Sequence, residues 1–566
     1  VIEQNADKLV CFSQSGNTEG FARKIYDVVS LLKYNRIKPE ELLSACSDKA
    51  LMLKLKDIAL IYSAFQASVE NRYLDSADKL ETLLDAIGSS EQIKRSSYYI
   101  YDFEGLSVQE EAILENLVRF SRGVYAACAV GKGYMYSNEF FASLNRVASK
   151  TGGFKEISRR EEGSPCLEAR ERALLFGSRQ APSVCTREQF TLVNASDAEE
   201  EIFYLAAYID GYVRQGGRYR DIKTVVCDVD EYRDAIRRYF SLFDIPYYLD
   251  EKYSLDSHSL FRFVCDFFRM KRADMKLDSV LPVVKNYFFG ADEKDVFLFE
   301  NFCLKYNFGY DFSRFDLGDD EPEETREAAE RVRQRLCRLA ETDVPDRAAV
   351  SVYVDIVRDF LRRNDLYAQL EALAKKLESR APDYYARFSL QAGEKLDAVL
   401  DELGQTAGGL YVDVEKFLGF FSAAAGDVNV SILPLYADCV EIANLDKSLR
   451  HDIRTLAVVG ANEGKLPLLR SDSALLNDDN LKKLVKNGLR VTPDVATLNR
   501  NDCFALAMLL LEPEDRLYVS FRSVDSDGSG LKPSSFVRAL KKAHVRPDGS
   551  EIEAEQNPDF GVHSKR

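Results

Sequence analysis

The sequence predicts an α/β protein in which a sheet-forming region is interrupted by a long helical block and then resumed. Short apolar runs bounded by glycines or turn residues predict buried parallel strands, and amphipathic segments of helical period lie between them. From His258 to about Leu400 the helical period is almost unbroken, and strand signals return only afterwards. At 566 residues the chain is too long for one hydrophobic core, so roughly three to five packed units are expected.

Taken in order, Phe21 to about Glu91 repeats apolar residues at three and four positions (Leu53, Ile58, Ile61, Phe65) and predicts helices. Ser97–Tyr101 predicts a strand ending at Asp102, Val108–Phe120 a helix, and Val124–Val130 a second buried strand. The stretch from Lys150 to Ser183, rich in Gly, Ser, Arg and Glu, marks a boundary. Beyond it come a strand at Thr191–Val193, a helix at Ala198–Gln215, a strand at Ile222–Cys227, a helix at Tyr232–Phe243 and a strand at Ile245–Leu249. After the helical block, strands are expected at Val428–Leu433, Cys439–Ile442, Leu456–Val459 and Arg516–Phe521.

Hydrophobic residues at 46% and charged residues at 30% fit packed soluble cores and exclude a fibre or a disordered chain. No apolar run reaches the roughly 18 to 20 residues of a membrane span and no signal segment opens the chain, so a cytoplasmic location without membrane contact is expected. The chain starts at Val1 rather than Met, in a polar stretch, which suggests a fragment with coding sequence removed upstream. The net charge of -16 argues against bulk capture of nucleic acid, so any DNA contact is a local groove. Eleven cysteines are scattered without C-x-x-C pairs, and His258, His451, His544 and His563 show no metal-ligand spacing. The cysteines are therefore expected as buried reduced thiols, with no metal site.

The run Leu456–Val459 followed by Gly460, Gly464 and Lys465 invites comparison with a phosphate-cradling loop, but the glycines are one residue too close and Leu466 replaces the hydroxyl that would hold magnesium. Asp102 and Glu104, after the first strand, stand where a motor protein holds Mg²⁺-bound water, yet Phe103 follows Asp102 in place of the usual glutamate. Asp221-Ile-Lys223 is a bare D-x-K triplet without a partner carboxylate, and Asp525-Ser-Asp527-Gly528 reads as a turn rather than a calcium loop. Basic side chains cluster at Lys482, Lys483, Lys486 and Arg490, the candidate DNA contacts, and again at Arg538, Lys541 and Lys542.

Several segments in order resemble the AddB (RexB) family, the B component of AddAB-type helicase-nucleases, which is similar to UvrD-like helicases. They are Lys54–Ile58 with Tyr73–Asp75, the loop Tyr101–Glu110, Ala198–Glu201 through Gly217–Ile222, and Ile245–Asp250. Lys285–Tyr287 with Glu300–Phe302, Gly460–Pro467 and Pro533–Phe536 continue the series. The resemblance implies two RecA-like UvrD-type domains, each with a largely helical insertion. On that plan residues 1–95 are the first insertion, 96–185 the remainder of the first motor domain and 190–257 the opening of the second. Residues 258–425 are the second insertion, 426–545 close the second domain, and 546–566 form a linker.

By the same resemblance, an ATP-binding loop would precede Val1, and a nuclease domain with a cysteine-bound iron-sulfur cluster would follow Arg566, so no cofactor is expected within this chain. An active motor of this kind carries an arginine where Glu512 aligns and another near Asp228. With Asp102-Phe103 and Glu104 these are degenerate motor positions, and neither ATPase nor nuclease activity is expected of the chain alone. The implied role is that of a non-motor subunit in double-strand-break repair, working beside an AddA-like helicase-nuclease and guiding single-stranded or forked DNA. An active UvrD-like helicase and a partner-binding scaffold without DNA contact are the competing expectations.

Overall fold

The structure, a computed structural model, describes residues 1–13, 19–44, 48–69, 73–101, 103–129, 134–136, 139–155, 157, 164–177, 181–250, 253–306, 312, 321–379, 384–445, 453–470, 475–513 and 515–561. It is mixed α/β, mostly helical, and divides into two compact units: Val1–Leu249 with Tyr436–Arg566, and Asp250–Leu435. Among the described residues no helix is long and apolar enough to cross a membrane.

In the first unit the opening helices Glu19–Tyr34, Pro39–Ser44 and Lys49–Val69 bury Leu32, Leu42, Leu55 and Ile58 on one another. That core also takes Leu481 and Leu484 from the distant helix Asp478–Lys486. Polar contacts secure the join: Lys54 donates to the Leu475 carbonyl at 2.7 Å, and the Asn35 amide exchanges two hydrogen bonds with the Thr492 backbone.

Strands β1 (Ser97–Tyr101) and β2 (Gly123–Ala127) pair in parallel, linked by the helix Val108–Phe120. Ser107 and Glu110 begin that helix with a reciprocal capping box, which satisfies two N–H groups the first turn would leave open. Leu114, Phe140 and Val147 form the core beside this small sheet, while Tyr99 and Tyr125 stack at 5.0 Å in solvent.

Six further strands form the main sheet: β3 (Phe190–Ala195), β4 (Ile222–Val226), β5 (Tyr247–Leu249), β6 (Val440–Asn444), β7 (Thr455–Val459) and β8 (Arg516–Arg522). They lie in the order β3-β8-β7-β4-β6-β5, every pair parallel. Because helices cover both faces, strands such as Leu456–Val459 are apolar throughout rather than alternating. Helices Ala198–Arg214 and Val229–Leu242 bury Ile202, Leu205, Ile236 and Phe240 on one face. Helices Pro165–Leu175, Val495–Leu509 and Ser535–Ala543 bury Leu175, Leu506, Leu509 and Leu540 on the other. The 546–566 segment, expected as a linker, lays Glu555 against the outer edge of β3, donating to the Leu192 carbonyl at 2.9 Å and accepting from the Asn194 N–H at 3.0 Å.

The second unit, Asp250–Leu435, is helical around a core of aromatic rings. Phe267 is fully buried and stacks on Phe360 with ring centroids 4.2 Å apart. The strand expected at Val428–Leu433 shortens to Asn429–Val430 and pairs antiparallel with Tyr253–Ser254 inside this unit instead of joining the main sheet. Its apolar side chains explain this, since Val430 and Ile432 are buried with Phe388 of the same unit. Phe267→Ala should lower the stability of the helical unit by about 3–5 kcal/mol, read from its urea-unfolding transition.

Candidate functional site

In an open parallel sheet flanked by helices, ligands bind outside the carboxyl ends of the strands. Here the ends of β4, β7 and β8, with the helix that follows β3, bring together Glu201, Glu231, Tyr232, Lys465, Arg522 and Asp525. Glu201, in the first turn after β3, is fully buried and holds two neighbours. Tyr232 donates its hydroxyl to one carboxylate oxygen at 2.6 Å, and the Gly460 N–H donates to the other at 2.8 Å. Burial drives the Glu201 pKa above the ordinary carboxylate range, against the contrary pull of those hydrogen bonds and of Arg522.

The approach at Gly460 requires glycine. Its φ is +73°, and a Cβ there would lie 2.6 Å from Cys227 Sγ and 2.9 Å from the Tyr232 hydroxyl. Two residues on, the Asn462 side chain fastens the β7 loop to β8, donating to the Arg522 carbonyl at 2.8 Å and accepting from its N–H at 3.2 Å.

Arg522, whose side chain is 2% exposed, pairs with Glu231 and lies 3.1 Å from an Asp525 carboxylate oxygen. Its guanidinium also sits over the Tyr232 ring, 5.3 Å from the centroid. Lys465 reaches the same two carboxylates, 3.4 Å from Glu231 and 3.1 Å from Asp525. Burial acts to lower the pKa of both cations, but their neighbours, Tyr232 and Glu231 beside Arg522 and Asp525 and Glu231 beside Lys465, outweigh it and hold each above its ordinary value. Two cations and two carboxylates thus neutralise one another at this edge.

The neighbouring helix starts are closed in the same way. Asp197 accepts from the Glu200 N–H at 2.9 Å, Asp228 accepts from the Asp230 N–H at 2.9 Å, and Asn444 accepts from the Val229 N–H at 2.8 Å. Donors that elsewhere cradle an anion are taken by these side chains, and Glu199, Glu200, Asp230 and Glu231 add negative charge in the first turns. The Cys227 thiol is pushed up to about 12, mainly by burial, which keeps it protonated and poorly nucleophilic near neutral pH.

The residues singled out from sequence fall in several places. Asp228 caps its helix at the carboxyl edge of the sheet, whereas Glu512 precedes β8 and so leads into the opposite edge. Glu104 is exposed in the loop after β1, and Asp102 lies outside the described residues, as do His451 and His563. Lys482, Lys483 and Lys486 are exposed on helix Asp478–Lys486, with Lys483 2.7 Å from Asp48. Arg490 clasps buried Glu111, one nitrogen 2.7 Å from a carboxylate oxygen, and Arg146 joins them at 2.8 Å. Burial raises the Glu111 pKa, but the two guanidiniums more than offset it and hold the carboxylate below its usual range.

Sequence reasoning weighed Lys465 only as a phosphate ligand and missed Glu201, Glu231, Tyr232, Arg522 and Asp525 as a cluster. One signal was present: Glu201 falls on the apolar stripe of its helix, where a carboxylate needs a buried partner.

The family described as ADDB, N-terminal, matches residues 1–153. Over 593 residues the chain is 23% identical to a protein of Bacillus subtilis (strain 168) named as the B component of an ATP-dependent helicase/deoxyribonuclease, covering 96% of this chain and 51% of that protein. Proteins of the same name from Clostridioides difficile (strain 630) and Geobacillus kaustophilus (strain HTA426) are 23% and 25% identical over 98% and 95% of the chain. The chain is thus similar along nearly its whole length to AddB-type proteins, and its first 153 residues match the family model. It spans about half the length of the curated relatives it matches. The AddB segments noted from sequence include Glu201 and the Gly460–Pro467 loop, so the resemblance falls in part on the residues that close the sheet edge.

Two measurements check the site. A carboxyl group whose folded pKa is raised binds its proton more tightly in the native state, so its effect on stability is unfavourable and grows as pH climbs above its unfolded value of 4.5. Glu201→Gln, which keeps an acceptor for Gly460 and adds a donor, should therefore gain stability relative to the parent between pH 5 and 8, by about 1.4 kcal/mol per unit of pKa displacement. Arg522→Ala leaves Glu231 and Asp525 with Lys465 alone and removes a buried side chain, and should cost about 1–3 kcal/mol in urea unfolding near neutral pH.

Proposed function

We propose that this chain is part of the non-motor component of an ATP-dependent helicase/deoxyribonuclease that processes DNA double-strand breaks in the cytoplasm. In this reading the main sheet is the second of two RecA-like domains, the β1–β2 region belongs to the first, and the helical unit is the insertion of the second. ATP with magnesium and the iron-sulfur cluster are assigned to other parts of the complete assembly. An AddA-like partner supplies the motor, and this chain guides single-stranded or forked DNA.

The observation that carries the proposal is the occupied carboxyl edge. Lys465 and Arg522 are both held by Glu231 and Asp525, so neither is available to an incoming triphosphate without breaking a partly buried ion pair. A transferring phosphoryl group needs uncommitted cations and N–H donors in just that place. With Asp228 at the helix start and Glu512 before β8, the active-helicase reading lacks support.

DNA contact is assigned to the exposed lysines of helix Asp478–Lys486. Fluorescent single-stranded DNA titrated at two salt concentrations, with and without ATP, tests this. Saturable binding that weakens with salt and ignores ATP is expected, and Lys482→Ala with Lys486→Ala should reduce the slope of log affinity against log salt by about 1.4. Binding that requires ATP would restore the motor reading. No binding at either salt concentration would leave the scaffold, which the net charge of -16 favours.

A further inference from the structure

Away from the carboxyl edge, the fold gathers three residues that the sequence keeps far apart. Cys166 lies near the start of helix Pro165–Leu175, Cys185 follows the short strand Ser183–Val184, and His544 opens the short strand His544–Val545, which pairs in parallel with it. The two Sγ atoms and a ring nitrogen of His544 lie within 4.8 Å of one another, and all three residues are buried.

The imidazole gives an independent pointer. His544 is 1% exposed, and neither ring nitrogen has a hydrogen-bond partner; the Ser183 backbone approaches the ring without hydrogen-bond geometry. A buried imidazole in that condition forfeits its hydration without compensation unless something else takes the lone pair. Phe190 packs 5.7 Å from the ring, so the surroundings offer little in exchange. Cys166 Sγ donates to the Val184 carbonyl at 3.1 Å, with the Ser183 hydroxyl 4.0 Å from the same sulfur and able to serve it as a thiolate.

Charge supplies a third observation. Arg170 is 5% exposed and donates to the Leu510 carbonyl at 3.3 Å, but among the described residues no carboxylate pairs with it. Its neighbours in electrostatic reach include Cys166 and Cys185, and Arg546 is a second guanidinium near Cys185. A buried guanidinium favours a neighbouring anion, which metal-bound thiolates would supply.

We propose that Cys166, Cys185 and His544 form a structural site for a thiophilic d¹⁰ metal ion, either Zn²⁺ or Cu⁺, clipping the 166–185 segment to the strand at His544. Two thiolates and one imidazole are the donors such ions select over carboxylate-loving ones. On binding, each thiol loses its proton to solvent as a metal–sulfur bond forms, and neutral His544 gives a ring lone pair without changing charge. The Cu⁺ complex would carry one net negative charge to set against Arg170, and the Zn²⁺ complex would be neutral with a fourth position open.

The test uses the full chain purified under reducing conditions. Metal content is measured by mass spectrometry, followed by competition titrations with Zn²⁺ against a chromophoric chelator and with Cu⁺ against bicinchoninate. Binding of about one equivalent of one of these ions is expected, weakened at least about tenfold by Cys166→Ser, Cys185→Ser or His544→Ala and unchanged by Cys439→Ser. The arm that binds more tightly identifies the ion. Should the variants fold poorly, thiol labelling of the parent chain decides the matter: metal should protect Cys166 and Cys185, and a chelator should expose them while Cys265 and Cys303 stay unchanged. No binding of either ion, binding indifferent to all three variants, or a Cys166–Cys185 disulfide in the metal-free chain would overturn the proposal.

Discussion

A carboxyl group with no access to water must be given partners by its surroundings, and Glu201 draws its partners from two other elements. Tyr232 comes from the helix after β4, the Gly460 N–H from the end of β7, and Glu201 itself from the helix after β3. These contacts fix how two crossover helices sit on the sheet and force the β7 loop into a left-handed turn that only glycine takes easily. Arg522 lies against the same Tyr232 ring and draws Glu231, Asp525 and Lys465 around it. The arrangement at the carboxyl edge is therefore coupled. Removing one charge leaves its partly buried partners in charge imbalance, whereas replacing Glu201 by a neutral isostere preserves the frame.

That coupling also balances the charges and N–H donors gathered at the carboxyl edge of the sheet. Glu231 and Asp525 offset Lys465 and Arg522, while Asp197, Asp228 and Asn444 accept from the helix starts. The edge is therefore closed by groups of the chain itself.

The fold was legible wherever hydrophobic period decides structure. The runs at Leu456–Val459 and Ile222–Cys227 became central strands because burial on both faces leaves an unbroken apolar signature. Val428–Leu433 carried a similar signature for a different reason, since Val430 and Ile432 bury against Phe388 of the helical unit, and local pattern cannot distinguish the two. Nor could it show that Leu481 and Leu484 pack with the N-terminal helices more than 400 positions away. The site was less legible still. Lys465 was visible, but its partners come from two other segments, and Cys166, Cys185 and His544 meet only because two dipeptide strands pair. Motif spacing registers ligands that share a loop or helix and misses those assembled by topology.

The extended segment around Glu555 has a consequence for how the molecule behaves in a crowded solution. An open parallel sheet ends in two strands whose outward N–H and C=O groups can recruit strands from other molecules. At one margin β5 is only three residues long and offers a short template. At the other, the chain's own backbone occupies the Leu192 carbonyl and the Asn194 N–H, while Arg187 anchors Glu555 at 2.6 Å. Peeling that segment away would turn β3 from a covered border into a nucleus for intermolecular sheet growth, so its attachment guards solubility as well as architecture.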